Sequence, residues 1–300
     1  MSLAVLLMAH GTPASLDEMP EYLARVRGGR PPSEELIAEM RQNYGAIGGR
    51  SPLTDITLRQ RNALRARLGA DVKVMVGMRN WTPLIGDVVR ALAGSDVTRV
   101  VGIPLAPQFS TVSVQKYIEA AESAMPAGIA FACVRSYHDH PLLLQAFADR
   151  IREAGGPAED EQVVFTAHAL PERVIAMGDP YLDQVRVTAR GVAEAAGIDG
   201  YEIAFQSAGR TPEPWIGPDL GAFVRERAAA GVRRFLVVPI GFVCDHTEIL
   251  FDIDVQAQGV ARDCGASLRR PASLNDSPTF VALLEDLAIG PATSVGLNGR

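Results

Sequence analysis

Two stretches of the chain are built alike. Residues 3–13 read LAVLLMAHGTP and residues 162–171 read QVVFTAHALP. Each is an apolar run that closes on Ala-His and reaches a proline three residues after the histidine, His10 in the first and His168 in the second. Continuous rather than alternating apolarity marks strands buried on both faces, as in parallel sheets. The carboxyl end of such a strand is where open α/β sheets place their chemistry. One histidine in each half therefore points to a duplicated fold with a single cleft and an imidazole on either side of it.

The likeness continues in the same order. RVVGIPLAP (99–107) and RRFLVVPIGF (233–242) are both β-branched runs with a proline at the strand end. IAFACV (129–134) leads through SYHDHPLLLQAF, and the second half closes on SLRRPASLNDSPTFVALL, so a polar loop meets Pro141 or Pro278 before an apolar helix. Further apolar runs at 72–78, 200–206 and, weakly, 266–270 bring the expectation to four strands per half. Helical spacing covers 33–40, 55–68, 111–124, 141–152, 180–196 and 218–229. Ser33 suits an N-cap after Pro31-Pro32, with Glu34 and Glu35 complementing the dipole of the first turn. This alternation predicts an α/β chain of two Rossmann-like, doubly wound lobes, 1–155 and 156–300, divided in the stretch EAGGPAEDEQ (153–162). The tail 290–300 has no periodicity and is expected to be loose.

One segment exceeds a plain crossover. Residues 10–71, between the first two strands, carry two helical patterns and the loops RVRGGRPPS (25–33) and NYGAIGGRSPL (43–53). An insertion after a strand's carboxyl end is where a substrate lip would sit.

Bulk properties exclude whole classes. The net charge of −6 opposes a nucleic-acid binder, which needs a basic face. Three cysteines without a CxxC pair support neither a disulfide framework nor a zinc or iron–sulfur site, and point to a reducing cytoplasm. Neither a signal peptide nor an apolar run of about 18 residues is seen, so no integral membrane segment is expected.

The densest chemistry lies in GFVCDHTEILFDID (241–254). Glu248 and Asp252, four apart, share a helix face, and with His246 they offer ligands for a divalent metal. The same acidic residues also suit a plain helix start. Glu248 follows a strand in the half that carries His168, so both side chains are expected at one site. His138 and His140 are expected at the surface, without a role.

With these residues in view, the chain closely resembles the ferrochelatases, and among them the short coproporphyrin III enzymes of bacteria. The likeness rests on AHGTP (9–13), YGAIGGRSPL (44–53), LAPQFSTVSVQKY (105–117), TAHALPERVIAMGDPY (166–181), FQSAGRTPEPWIGPD (205–219) and GFVCDHTEILFDID. It implies a chelatase fold with a porphyrin cleft between the lobes and insertion of Fe²⁺ into coproporphyrin III, giving coproheme for haem biosynthesis. It also implies product handover to the next enzyme of the pathway. Iron is then a substrate, and no bound cofactor or iron–sulfur cluster is expected.

The resemblance carries the catalytic, metal-handling roles onto His168 and Glu248. It carries porphyrin contacts onto His10, Arg27, Asn43, Tyr44, Ser51 and Tyr117. Coproporphyrin enzymes often have tyrosine where this chain has His10, so His10 is expected to ligate the product haem iron on the face opposite His168. Family members often have a basic residue where Asn43 stands and a carboxylate where Gln256 stands. Arg25, Arg27 and Arg30 in the lip suit a substrate with four carboxylates. Alternatives are a protoporphyrin IX enzyme, a sirohydrochlorin-type cobalt or iron chelatase using His10 and His168, and a tetrapyrrole carrier, which would not need Glu248.

Overall fold

In a computed structural model the described residues are 2–209 and 211–290. They fall into two compact units, one of residues up to 137 together with those from 275 to 290, the other of residues 138–274.

The first unit is built on a parallel sheet of β1 (Ser2–Ala9), β2 (Lys73–Met78), β3 (Val97–Pro104) and β4 (Ala130–Cys133), in the order β2-β1-β3-β4. β1 lies in register with both neighbours, Leu6 facing Met75 of β2 and Gly102 of β3. Residues 4–8 of β1 are wholly buried, as a strand covered on both faces must be. Ala4, Leu6 and Met8 pack against α4 (Ile85–Arg90) and α5 (Val114–Glu122) through Ile85, Val89 and Tyr117.

The second unit repeats the plan. β5 (Gln162–His168), β6 (Glu202–Gln206), β7 (Arg234–Pro239) and β8 (Ser267–Arg269) form a parallel sheet ordered β6-β5-β7-β8. Both sheets thus place their first strand second, and all eight strands fall where the apolar runs put them. α9 (Leu220–Ala229) and α11 (Gln258–Asp263) cover one face, with Phe223, Val224 and Ala261 packed on Val164 and Val237.

Local chemistry sets the helix starts. The Ser33 hydroxyl accepts from the Leu36 N–H at 3.3 Å at the head of α2 (Glu34–Ala46). Asp219 caps α9 by accepting from Ala222 N–H at 2.9 Å.

Three expectations need correction. The units do not divide at 155/156. The helix after β4, α6 (Pro141–Glu153), packs on α8 (Tyr181–Ala196), where Gly191 has no side chain and a Cβ would stand 2.6 Å from Leu144 Cδ1. The last helix, α12 (Pro278–Ile289), packs on α3 (Leu53–Leu68) of the first unit, tied by Arg67 to Glu285 at 2.6 Å. Each helix thus follows its apolar face rather than its neighbour in sequence. Second, residues 10–71 hold three α-helices rather than two, preceded by a single 3-10 turn at Leu16–Glu18. α1 (Met19–Val26) escapes the periodicity because it is short and opens on a proline, and α2 runs to Ala46 and absorbs 43–46. Third, His140 is half-buried and caps α6, its Nδ1 accepting from Leu142 N–H at 3.2 Å, while His138 is also half-buried. Of the tail expected to be loose, 291–300 lie outside the described residues.

Candidate metal-handling site

In the second unit, His168 is the last residue of β5, and three neighbouring segments hold it. Its backbone is in register with Gln206 at the end of β6, whose carbonyl accepts from Ala169 N–H at 2.8 Å. The Tyr181 hydroxyl at the head of α8 donates to the His168 carbonyl at 3.0 Å. The following loop is stitched to the stretch ending at Trp215, with Glu172 N–H donating to Pro214 O and Ile216 N–H to Leu170 O, both at 2.9 Å. The motifs TAHALPERVIAMGDPY and FQSAGRTPEPWIGPD are therefore two sides of one clamp. Gly241, beyond β7, completes it: a Cβ there would stand 2.8 Å from Ala167 Cβ and 2.9 Å from Ala167 Cα, so the chain approaches only because neither residue is larger.

Past Gly241 the chain turns into α10 (Thr247–Leu250) and a π-helical turn, Asp252–Ala257. Gln256 N–H donates to Phe251 O, the wide-turn bond that re-aims side chains around functional sites. This segment delivers Glu248 to His168, with Glu248 Oε2 3.8 Å from His168 Nε2. It also stands 3.7 Å from Nε2 of His246.

Both rings are turned the same way. His168 Nδ1 donates to the Ala169 carbonyl, and His246 Nδ1 donates to the Cys244 carbonyl at 3.0 Å. A neutral imidazole held so presents its Nε2 lone pair. Two such lone pairs facing one carboxylate oxygen repel it unless a proton or cation lies among them. The His246 pKa reflects that demand. Burial works against its charge, but the negative Glu248 carboxylate beside it outweighs burial and raises it.

Asp252 continues the acidic line. Burial and the Glu248 charge push its pKa up to about 6, against the Ser207 hydroxyl that donates to it and the charges of His168 and His246. Burial and the neighbouring Glu248 charge thus let the Asp252 carboxyl take up or release a proton near neutrality. His168 and Glu248 are each about one-third exposed at the side chain, 34 % and 36 %. Among the described residues no three His, Cys, Asp or Glu side chains are drawn close enough to enclose an ion.

The residues expected to contact porphyrin all lie in the first unit. His10 follows β1 and packs edge-on against Tyr22, with Asn80 Nδ2 3.1 Å from its Nε2. Gly11, at φ +86°, leaves it in a left-handed turn, and a Cβ there would stand 2.9 Å from Trp81 N. Tyr44 is buried on α2, its hydroxyl 2.8 Å from Thr12 Oγ1, so the AHGTP and YGAIGGRSPL motifs meet. Ser51 is buried and accepts from Leu53 N–H. Tyr117 belongs to the core beneath the sheet, with Arg79 6.0 Å from its ring. Asn43 is half-buried. Arg27 and Arg30 are exposed around the Gly28-Gly29 turn, while Arg25 is paired with Glu21 at 2.9 Å.

Two four-stranded parallel sheets with matching strand order, and an imidazole–carboxylate group at the strand ends of one, define a chelatase-like α/β protein. The fold has solved counterparts. SirB of Bacillus subtilis with Fe³⁺ matches at a TM-score of 0.60 and 13 % identity, over 99 % of this chain and 98 % of that one. CbiX, the terminal enzyme of siroheme biosynthesis in denitrifying bacteria, matches at 0.52 and 14 % identity, over 95 % and 97 %.

Sequence narrows the class. The ferrochelatase family pattern covers residues 2–290. A ferrochelatase of Deinococcus radiodurans is 42 % identical, over 98 % of this chain and 97 % of the relative. The coproporphyrin III ferrochelatase of Bacillus subtilis is 36 % identical, over 96 % and 97 %. The chain belongs to the ferrochelatase family, so its substrates are a porphyrin and iron. Among the described residues no helix is long and apolar enough to cross a membrane.

Proposed function

We propose that this ferrochelatase inserts Fe²⁺ into coproporphyrin III, and that His168 and Glu248 handle the metal and the protons. The observation that carries the site assignment is the convergence of the His168 and His246 Nε2 atoms on one carboxylate oxygen of Glu248. Insertion requires two pyrrole protons to leave and a hydrated Fe²⁺ to lose water. The His168 Nε2 and the Glu248 carboxylate can each bind the ion or accept a proton, and His246 and Asp252 give those protons a place to go. His10 is assigned to the iron of the product, for which imidazole is a stronger ligand than a neutral phenol.

Two observations support the choice of coproporphyrin III. Relatives named for that substrate cover nearly the whole chain at 36–38 % identity. Arg27 and Arg30 lie exposed in the insertion, where guanidinium groups suit carboxylate side arms.

Anaerobic assays of Fe²⁺ insertion into coproporphyrin III and protoporphyrin IX decide the matter by absorbance. A higher kcat/KM for coproporphyrin III is expected. Equal or reversed values overturn the substrate choice while leaving the reaction in place.

A further inference from the structure

The segment that delivers Glu248 departs from regular α-helix: α10 is a single turn, a π-helical stretch follows, and α11 then restores the α-helical pattern. The widened turns change the directions of the side chains they carry, and contacts from neighbouring segments fix where those side chains point. On one side Ser207 donates to Asp252 and Gln206 donates to the Glu248 carbonyl at 3.2 Å.

On the other side stands Arg270, just past β8. Its Nε and Nη2 donate to the two oxygens of Asp254 at 2.8 and 2.7 Å, a bidentate fork. Its Nη1 lies 3.0 Å from Asp245 Oδ1, which also accepts from the Ser273 hydroxyl at 2.9 Å. Asp245 immediately precedes His246, and Asp254 stands two residues beyond Asp252. One guanidinium thus grips both ends of the stretch that carries His246, Glu248 and Asp252. Its side chain is only 11 % exposed. A buried cation matched by two carboxylates is weak evidence of stability but fixes geometry well. A lysine ammonium could not reproduce a planar fork that holds Asp254 and reaches Asp245 together.

We propose that Arg270 is a positioning residue for iron: by pinning Asp245 and Asp254 it holds His246 and Glu248 against His168. The inference rests on the metal-handling role given above to His168 and Glu248. It makes a selective demand, because Arg270 belongs to the second unit and the expected porphyrin contacts belong to the first.

The test uses the full chain as wild type, Arg270→Lys and Asp254→Asn. Steady-state insertion is measured with Fe²⁺ and with porphyrin varied separately, and Co²⁺ binding to the porphyrin-free protein is titrated calorimetrically. Outer-shell partners of metal ligands are typically worth about 10–100-fold in metal affinity or activity. Arg270→Lys is expected to lose that much in kcat/KM for Fe²⁺ and to weaken Co²⁺ binding, with porphyrin KM within about twofold of wild type. Wild-type iron kinetics in a folded Arg270→Lys variant overturn the proposal. So does an equal loss toward both substrates, which a merely structural role would give. If Arg270→Lys does not fold, Asp254→Asn decides by the same criteria. His168→Ala, run in parallel, separates the two ideas: near-normal turnover there removes the site assignment, whatever Arg270 does.

Discussion

Glu248 Oε2 lies 3.8 Å from Nε2 of His168, although one residue closes the first strand of its sheet and the other begins the helix after the third. Parallel strand order makes this possible. β7 lies beside β5, so their carboxyl ends and the loops that follow open on the same side. At 3.8 Å the carboxylate and the imidazole stand close but beyond direct hydrogen-bond distance. Replacing either residue by alanine is expected to lower insertion by about 10²–10⁴-fold, the usual weight of a positioned acid–base group. Porphyrin binding, followed by fluorescence quenching, should persist. Near-normal turnover in His168→Ala would remove this residue from the reaction.

Gly241→Ala tests the packing behind that pair. The new methyl would meet Ala167, the neighbour of His168, at a distance no ordinary contact tolerates. Overpacking of this kind costs about 1–3 kcal/mol. The expected result is a lower Tm together with a fall in kcat, because the strain falls on the strand end that carries the imidazole. A variant with reduced Tm and unchanged kcat would show that the strand yields elsewhere.

Much of this was legible in the sequence, for identifiable reasons. The strands were plain because runs such as LAVLLMA and FLVVP are apolar throughout, which only doubly covered strands require. Ser33 declared its cap, and the spacing of Glu248 and Asp252 declared a shared helix face. Helix α1 stayed hidden because about two turns with Pro20 near their start look like loop. The division of the units was also hidden, since α6 and α12 follow contacts far away in sequence. Nothing in the spacing showed that Arg270 would meet Asp254, because that contact depends on how the β8 loop folds back. The common orientation of His168 and His246 was equally invisible, as it depends on which backbone carbonyl meets each Nδ1.

His10→Ala addresses the product. If imidazole ligates the haem iron, the variant's product complex should show a changed absorbance spectrum, and haem should leave it faster. Insertion should fall less than in His168→Ala, since His10 carries no proton in the proposed reaction. A product spectrum identical to wild type would leave His10 as a packing residue against Tyr22 and Asn80.

The pH dependence of stability has a separate source, at the opposite end of β5 from His168. Glu161, just before β5, accepts from Arg269 Nε and Nη2 at 2.6 Å each and from Ala158 N–H at 3.0 Å. Arg269 also donates to the Ala154 and Gly156 carbonyls, so the pair ties β8 to the turn that precedes β5. Burial raises the Glu161 pKa, but the Arg269 and Ala158 hydrogen bonds and the Arg269 and Arg234 charges outweigh it, and the pKa falls below its ordinary 4.5. A carboxyl whose pKa is depressed by folding stabilises the native state at every pH above the unfolded value. That contribution fades as pH drops through the folded one. Glu161→Gln should therefore destabilise the protein at pH 7. Loss of a buried partner costs about 3–5 kcal/mol, and the part-exposed Arg269 reduces this toward about 1–3 kcal/mol. Urea denaturation of both proteins from pH 7 downward should show a constant gap until about pH 4.5. The gap should then narrow, because wild type loses its ion pair while the variant has none to lose. A gap that stays constant to the lowest accessible pH would mean that the glutamate acts through its shape rather than its charge.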